Sequence, residues 1–369
     1  MGKIDRSLKL NNRERMIRVC LNEDIDRLPF WFVFGPWGKT VDRWRAEGLE
    51  TDYGTWASSA GFDVGFRHVH VNLGFEPFFE YKIINEDESK RTVRNQFGIT
   101  LTEFKSSSTI PQFIDYPVKN RSDWLKIKNE RLDPDSPERF PADYHKSIKK
   151  IKESGAAAQV GSYPYGLFGT LRDFMGAENL LLAFYDDPGL IREMMDYLTD
   201  FWIAIYKKIL GDVQLDHIHI WEDMSGKQGP LISPAMFREF MTPNYKKITA
   251  FAKENGIAVI SVDTDGNMDV MMPLLSEAGI NMVFPFEVQA GCDVVAIKKQ
   301  YPDICLNGGI DKRALALGRD AIDGELERVA ELFETSGYIP GLDHLPHPEI
   351  SFQNYVYFTE RLKEMIFKV

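Results

Sequence analysis

From about Ala142 to its end, the chain alternates short apolar runs with amphipathic stretches, and this rhythm constrains its fold more than any other feature. Ala157–Tyr163, Asp216–Trp221, Ile257–Val262, Ile280–Phe286, Asp303–Asn307 and Gly337–Gly341 read as buried parallel strands, nearly continuous in apolar residues. Helical patterns separate them, over 144–154, 167–210 with a break near Asp186-Asp187-Pro188-Gly189, 268–278, 292–301, 320–335 and 351–367. Ser233-Pro234 opens a further helix, with Ser at the cap and Pro in the first turn. Leu28–Phe34 and Phe62–Val71 supply two earlier strands, which brings the count to eight. Eight β–α units predict an α/β fold closed as a (β/α)8 TIM barrel. A doubly wound dinucleotide-binding sheet lacks its G-x-G-x-x-G turn here.

Two stretches depart from the rhythm. Residues 11–21 read as a short amphipathic helix capped by Asn11 or Asn12. Phe78–Ile84 and Arg91–Phe104 alternate at period two around a charged turn at 85–90, which predicts antiparallel strands outside the barrel. Residues 119–142, polar and proline-rich, are expected to form an irregular surface connection. The whole chain, 1–369, is expected to be one barrel domain with an insertion over 75–142.

A formal net charge of −11 disfavours nucleic acid and anionic membrane as partners. No apolar run approaches the ~20 residues needed to span a bilayer, and Met1–Arg6 has no apolar signal core. The three cysteines, Cys20, Cys292 and Cys305, have no CxxC spacing. That suits a reducing compartment, so a cytoplasmic location is expected.

Strand ends carry the candidate chemistry. Ile257–Gly266 runs from apolar residues into Asp263 and Asp265, and acids are uncomfortable at a buried strand end without a cation or a shared proton. Ile218–Asp223, Ile304–Asp311 and Tyr338–His344 repeat the design. Because barrel sites sit at the C-terminal mouth, Glu222, Asp223, Asp263 and His344 are the candidate catalytic groups. Asp263, Asp265 and His344 could hold a divalent metal. His217 and His219 share one face of their strand, but such pairs are as often packed as ligating, so the rim acids Glu222 and Asp223 are preferred. His68 and His70 are a weaker case of the same kind. Trp31, Trp37, Tyr163, Tyr165, Trp221 and Phe286, with Asp311, are expected to line a pocket for a flat ligand; Phe168 is a further aromatic near a strand end.

Asn11–Met16, Asp26–Trp31, Leu231–Ile248, Asn307–Asp311 and Pro348–Asn354 resemble blocks of the uroporphyrinogen decarboxylase superfamily. The resemblance implies a (β/α)8 barrel with its site at the C-terminal mouth. Its decarboxylases carry an Arg-rich loop after the first strand, needed because the porphyrinogen presents eight carboxylates. Here that loop is Phe34–Lys39, without arginine, and the aspartate after the second strand is replaced within Phe66-Arg67-His68-Val69. A second branch contains cobamide-dependent methyltransferases, which hold zinc through His-x-Cys and a later Cys. The matching positions here are Asp263-Thr264-Asp265 and the region of His344, without thiolates. This puts zinc and a thiol acceptor in doubt, while an oxygen-rich set would favour a harder metal.

The resemblance therefore implies a methyltransferase that moves a methyl group between a small substrate, such as a methoxylated aromatic, and a corrinoid carried by a partner protein. A decarboxylase-type lyase acting on a tetrapyrrole or another carboxylated substrate is one alternative. A ligand-binding barrel without catalysis is the other. A homodimer is a candidate assembly.

Overall fold

The computed structural model describes residues 2–105 and 110–368. In chain order the strands are β1 (Phe66–His68), β2 (Lys82–Glu86), β3 (Lys90–Arg94), β4 (Thr100–Phe104), β5 (Gln112–Asp115), β6 (Ala157–Val160) and β7 (His217–Trp221). There follow the small hairpin β8 (Ser225–Gly226) and β9 (Gly229–Pro230), then β10 (Val259–Asp263), β11 (Met282–Phe284), β12 (Cys305–Asn307) and β13 (Tyr338–Ile339). Seven of them form a parallel sheet in the order β1-β6-β7-β10-β11-β12-β13, curled into a barrel wall with helices outside. Parallel strands need long crossovers, and the helices between them provide these.

Leu28–Phe34 was expected to be the first barrel strand, and here the structure differs. The segment makes no ladder, yet it lies between the two ends of the sheet. Trp31 packs edge-on against Phe66 of β1, while Phe34 stacks on His344 just after β13. Its fixed points are local: the Phe30 amide donates to Asp63, and its carbonyl accepts from the Asp63 amide. The gap in the wall is thus filled by side chains rather than by hydrogen bonds between strands.

The helix Asn12–Cys20 closes the N-terminal end of the barrel. Asn11 and Glu14 form a reciprocal capping box. Arg13 clamps Asp216, the residue before β7, at 2.6 and 2.9 Å, and the Cys20 thiol lies 3.7 Å from the Met282 sulfur inside the wall. The strands β2-β3-β4-β5 make an antiparallel sheet separate from the wall. The expected irregular stretch after it contains a helix, Arg121–Arg131. Asn120 caps it, and Trp124 and Ile127, spaced to share one face, are buried, a signal masked by eight polar neighbours. The predicted break in 167–210 falls at Asp187, and a second, unexpected one at Gly176 divides the stretch into helices 167–175, 177–186 and 188–210. Among the described residues no helix is long and apolar enough to cross a membrane.

Candidate functional site at the barrel mouth

Register decides which side chains meet inside the wall. Ser261 pairs with His219 and Met282, and Asp263 pairs with Trp221 and Phe284. Gln159 pairs with both His68 and His217. Alternation turns His68, Gln159, His217, His219, Ser261 and Asp263 toward the barrel axis. His68, Gln159, His217, His219 and Asp263, together with Trp31, Phe32, Val33, Phe34, Phe66, Ser162, Met282 and Phe284, line a cavity of about 330 Å³, with Ser261 buried behind the two histidines. Barrel interiors are ordinarily packed with branched aliphatic side chains, so a polar row here marks a site. Its volume lies at the small end of ligand pockets.

The polar groups form a chain. His219 Nε2 stands 3.9 Å from Asp263 Oδ2. On the other side of the ring, His219 Nδ1 is 2.9 Å from the Ser261 hydroxyl, which is 2.7 Å from His217 Nε2. Ser261 has one proton to donate, so it donates to at most one imidazole and at least one ring donates to it. The tautomers of the two rings are therefore linked. His68 Nε2 meets the Gln159 amide at 2.9 Å across the cavity floor. Burial pulls His217 far below the usual histidine range and His219 down to about 3, assisted by neighbouring imidazoles, so both rings are neutral at pH 7.

Asp263 behaves oppositely. Burial is the largest effect on it, and the nearby carboxylates Asp265 and Asp223 add repulsion, so it keeps its proton well beyond the usual carboxylate range. Unlike most buried acids it accepts no close hydrogen bond from the described residues. The result is a carboxyl whose protonated form is favoured, facing the cavity beside a neutral imidazole.

The expected site residues divide into three groups. Asp263, Asp265 and His344 come together at the mouth. His344 Nε2 is 3.6 Å from Asp265 Oδ1, and His344 connects to His219 through the aromatic sequence Phe34 and Phe284. Asp223 sits beside them, paired with Arg172 at 2.7 Å, and Arg172 lies over the Trp221 ring. Trp31 lines the cavity; Trp37 and Tyr163 are exposed at the rim, where Tyr163 packs edge-on against the half-buried Trp221.

Glu222 belongs to the second group and corrects the expectation. Its side chain points out of the barrel, opposite in parity to His219 and Trp221. It accepts from the amides of Leu167, Phe168 and Gly169 at 2.6–3.0 Å and from the Tyr245 hydroxyl at 2.5 Å. An acid at a helix N-terminus is a structural partner for amides that have no other acceptor. Gly166 makes the approach possible, since a Cβ there would fall 1.8 Å from the Trp221 carbonyl oxygen.

The third group is displaced from the cavity. Asp311 caps the helix Lys312–Leu317 and is forked to Arg313. Tyr165 lines a separate crevice with Leu73 and Phe174; Phe286 and Phe168 are fully buried in the core. Gln159, Ser261 and Asn307 are inward-facing polar residues outside the expected set, and His68, His217 and His219 stand in the same row. Their signal was parity: each is a polar residue facing inward on an otherwise apolar strand.

A zinc-thiolate centre does not fit this mouth. Cys20 and Cys305 are fully buried in the wall, and Cys292 donates to the Gly266 carbonyl at 3.4 Å, with burial raising it to about 11. Nor do Asp263, Asp265 and His344 converge as the expected metal ligands: among the described residues no three His, Cys, Asp or Glu groups adopt such an arrangement. Asp265 and His344 meet only as a pair.

Comparison with known proteins now places the chain. The model of the uroporphyrinogen decarboxylase (URO-D) family matches residues 91–365. The chain belongs to the URO-D family. A uroporphyrinogen decarboxylase from Myxococcus xanthus is 23% identical over 241 residues, 63% of this chain. The match spans 65% of that relative's length. A solved methyltransferase from Methanosarcina mazei superposes with a TM-score of 0.59 over 97% of this chain and 100% of its own, at 15% identity. The two share a fold. The URO-D chain described here keeps the family barrel while filling its mouth with histidines, an aspartic acid and aromatic rings.

Proposed function

We propose that this URO-D-family barrel is a methyltransferase that removes a methyl group from a small, neutral, methoxylated aromatic and passes it to a corrinoid on a partner protein. The observation that carries the reading is the Asp263 carboxyl facing an aromatic-lined cavity beside His219, where burial and the neighbouring acids favour its protonated form. Cleaving an aryl methyl ether leaves an aryloxide, and a positioned acid that protonates the departing oxygen makes that step easier. The acceptor's electron pair forms the new bond to carbon. The carbon–oxygen bond breaks, its pair stays on oxygen, and the Asp263 proton moves there to give the phenol. The corrinoid, when its protein docks, supplies the nucleophile; the barrel's residues bind the ring, exclude water and hold the proton. His219 is the ring that faces Asp263, and Ser261 links it to His217; the cavity mouth is the route by which Asp263 regains a proton after turnover.

The alternative of porphyrinogen decarboxylation is disfavoured by charge. No Lys or Arg is among the residues lining the cavity, so eight carboxylates would enter without counter-ions. The test is turnover of anisole-type ethers by the purified chain with a reduced corrinoid protein, following phenol release. Phenol formation that depends on the corrinoid protein supports the reading. Carbon dioxide release from uroporphyrinogen, without ether cleavage, overturns it.

A further inference from the structure

The main cavity has a second polar end, away from Asp263. Gln159 of β6 lines its floor and is 8% exposed. The Gln159 amide nitrogen stands 2.9 Å from His68 Nε2 and 3.3 Å from the Gly161 carbonyl oxygen. A carbonyl only accepts, so the atom facing it is the nitrogen, and the amide has one orientation. Gly161 is itself held in place. It has φ +81°, and a Cβ there would fall 2.1 Å from the His219 carbonyl oxygen, so the turn lies flat against β7. Both amide protons of Gln159 are therefore spent, one on Gly161 and one on the unprotonated Nε2 of His68. The amide oxygen receives no hydrogen bond from the described residues, yet it is not sealed in protein as the unpartnered His217 Nδ1 is. It opens into the cavity as an unmet acceptor.

Given the use of the cavity for a methoxylated ring, on which this rests, we propose that Gln159 is a specificity-determining residue. It selects rings that carry a neutral hydrogen-bond donor, a hydroxyl or an amino group, opposite the methoxy group. The two polar ends of the cavity ask for different chemistry. Asp263 is placed for the ether oxygen, which accepts; the Gln159 oxygen also accepts, so its partner must donate. Their positions set the spacing. Gln159 pairs with His217 and Asp263 with Trp221, four residues further along β7, roughly 13 Å along the strand. The longer Gln side chain takes up part of that span and the ring the rest. Two neighbouring substituents would lie too close together to meet both ends. The cavity, about 330 Å³, has room for one ring and both groups. A methyl group facing Gln159 would keep solvent from the oxygen without replacing the hydrogen bond, and sites with unmet polar groups reject such ligands by large factors. A carboxylate would set its charge against that oxygen, and no Lys or Arg lines the cavity to balance it.

The experiment compares binding of 4-methoxyphenol, 4-methoxyaniline, 4-methylanisole and 2-methoxyphenol by calorimetry at pH 7, with no corrinoid present. The first two carry a donor opposite the ether; 4-methylanisole carries a methyl group of similar size there. The wild-type chain is expected to bind the two donors about tenfold or more tighter than 4-methylanisole. It should also bind 4-methoxyphenol more tightly than 2-methoxyphenol. Gln159→Leu should bring the three 4-substituted ligands within about twofold of one another. If the leucine variant does not fold, Gln159→Met, equal in length and without the oxygen, carries the same expectation. Equal wild-type binding of the 4-substituted ligands, no binding of either donor, or 2-methoxyphenol binding as tightly as its 4-isomer overturns the proposal. So does a preference that survives the loss of the Gln159 oxygen. Ether cleavage is scored separately. Donor-selective binding without demethylation leaves Gln159 as a reader and removes the methyl-transfer reading. Demethylation that ignores the donor does the reverse.

Discussion

Glu222 and Asp263 end neighbouring parallel strands, are both deeply buried, and are both pushed upward by that burial. From the sequence they look equivalent. Their surroundings make them opposites. Glu222 receives four hydrogen bonds, from three helix amides and the Tyr245 hydroxyl, and its carboxylate is used up in holding helix 167–175 to β7. Asp263 faces a cavity, with a ring nitrogen at 3.9 Å and two other acids nearby. A buried strand-end acid is thus no guide to function until its donors are counted. Unspent hydrogen-bonding capacity beside open space marks the reactive one.

Substituting each acid should separate the two roles. Asp263→Asn keeps shape and removes the proton donor, so ether cleavage should fall by about 10²–10⁴-fold, the usual worth of a positioned acid. Its thermal stability should hold. A variant retaining more than about a tenth of wild-type turnover, measured as phenol release per enzyme, would remove Asp263 from the chemistry.

Glu222→Ala should do the reverse. It leaves three helix amides and a buried tyrosine hydroxyl without an acceptor, and should destabilise the fold by about 3 kcal/mol. Urea unfolding measures this directly. The folded fraction should retain near-normal turnover per molecule; a selective loss of activity at unchanged stability would mean that Glu222 reaches the substrate after all.

The pH dependence of stability distinguishes the inward row from Glu222's network. Asp263 is raised in the fold, so its contribution is complete below the ordinary carboxylate range and is lost as pH rises through its folded value. His219 is lowered to about 3, so its contribution is complete above the ordinary histidine value near 6.5 and is lost as pH falls toward 3. Asp263→Asn should therefore flatten the decline in stability as pH rises above the ordinary carboxylate range near 4, and His219→Gln should flatten the decline between about pH 6.5 and 3. Unchanged stability profiles in both variants would mean that neither group titrates abnormally.

Much of the fold was legible because periodicity reports burial. The parallel strands from β6 onward, the capped helices and the antiparallel excursion all follow from apolar spacing and caps. Leu28–Phe34 was misread as a ladder strand because an apolar run reports burial but not hydrogen-bond partners. The helix Arg121–Arg131 was missed because only two of its residues are buried. At the site, the strand ends place Asp263, Asp265 and His344 on one rim, where Asp265 and His344 meet as a pair. Glu222 lies near the rim in sequence, but alternation sets it opposite His219, and parity rather than nearness to the rim decides where its side chain goes. Asn307 and Ser261 were passed over because an uncharged polar residue inside an apolar strand draws less attention than an acid at its end.

The smallest expected effect tests the link between the two histidines. Ser261 is fully buried, and its hydroxyl is the only bridge between His217 Nε2 and His219 Nδ1 among the described residues. Ser261→Ala removes one oxygen and leaves both rings in place, so folding should change by about 1 kcal/mol or less. The rings would no longer have linked tautomers, and His219 could present either nitrogen to Asp263. If Asp263 instead regained its proton through this chain, steady-state turnover would fall several-fold, about 1 kcal/mol in barrier, while a single turnover stayed at the wild-type rate. Single-turnover and steady-state rates measured on the same preparation distinguish these. Equal losses in both would place Ser261 in positioning Asp263 for the first proton transfer. No loss in either, the expected result, leaves the histidine row as a polar lining, with Asp263 recovering its proton from solvent at the mouth.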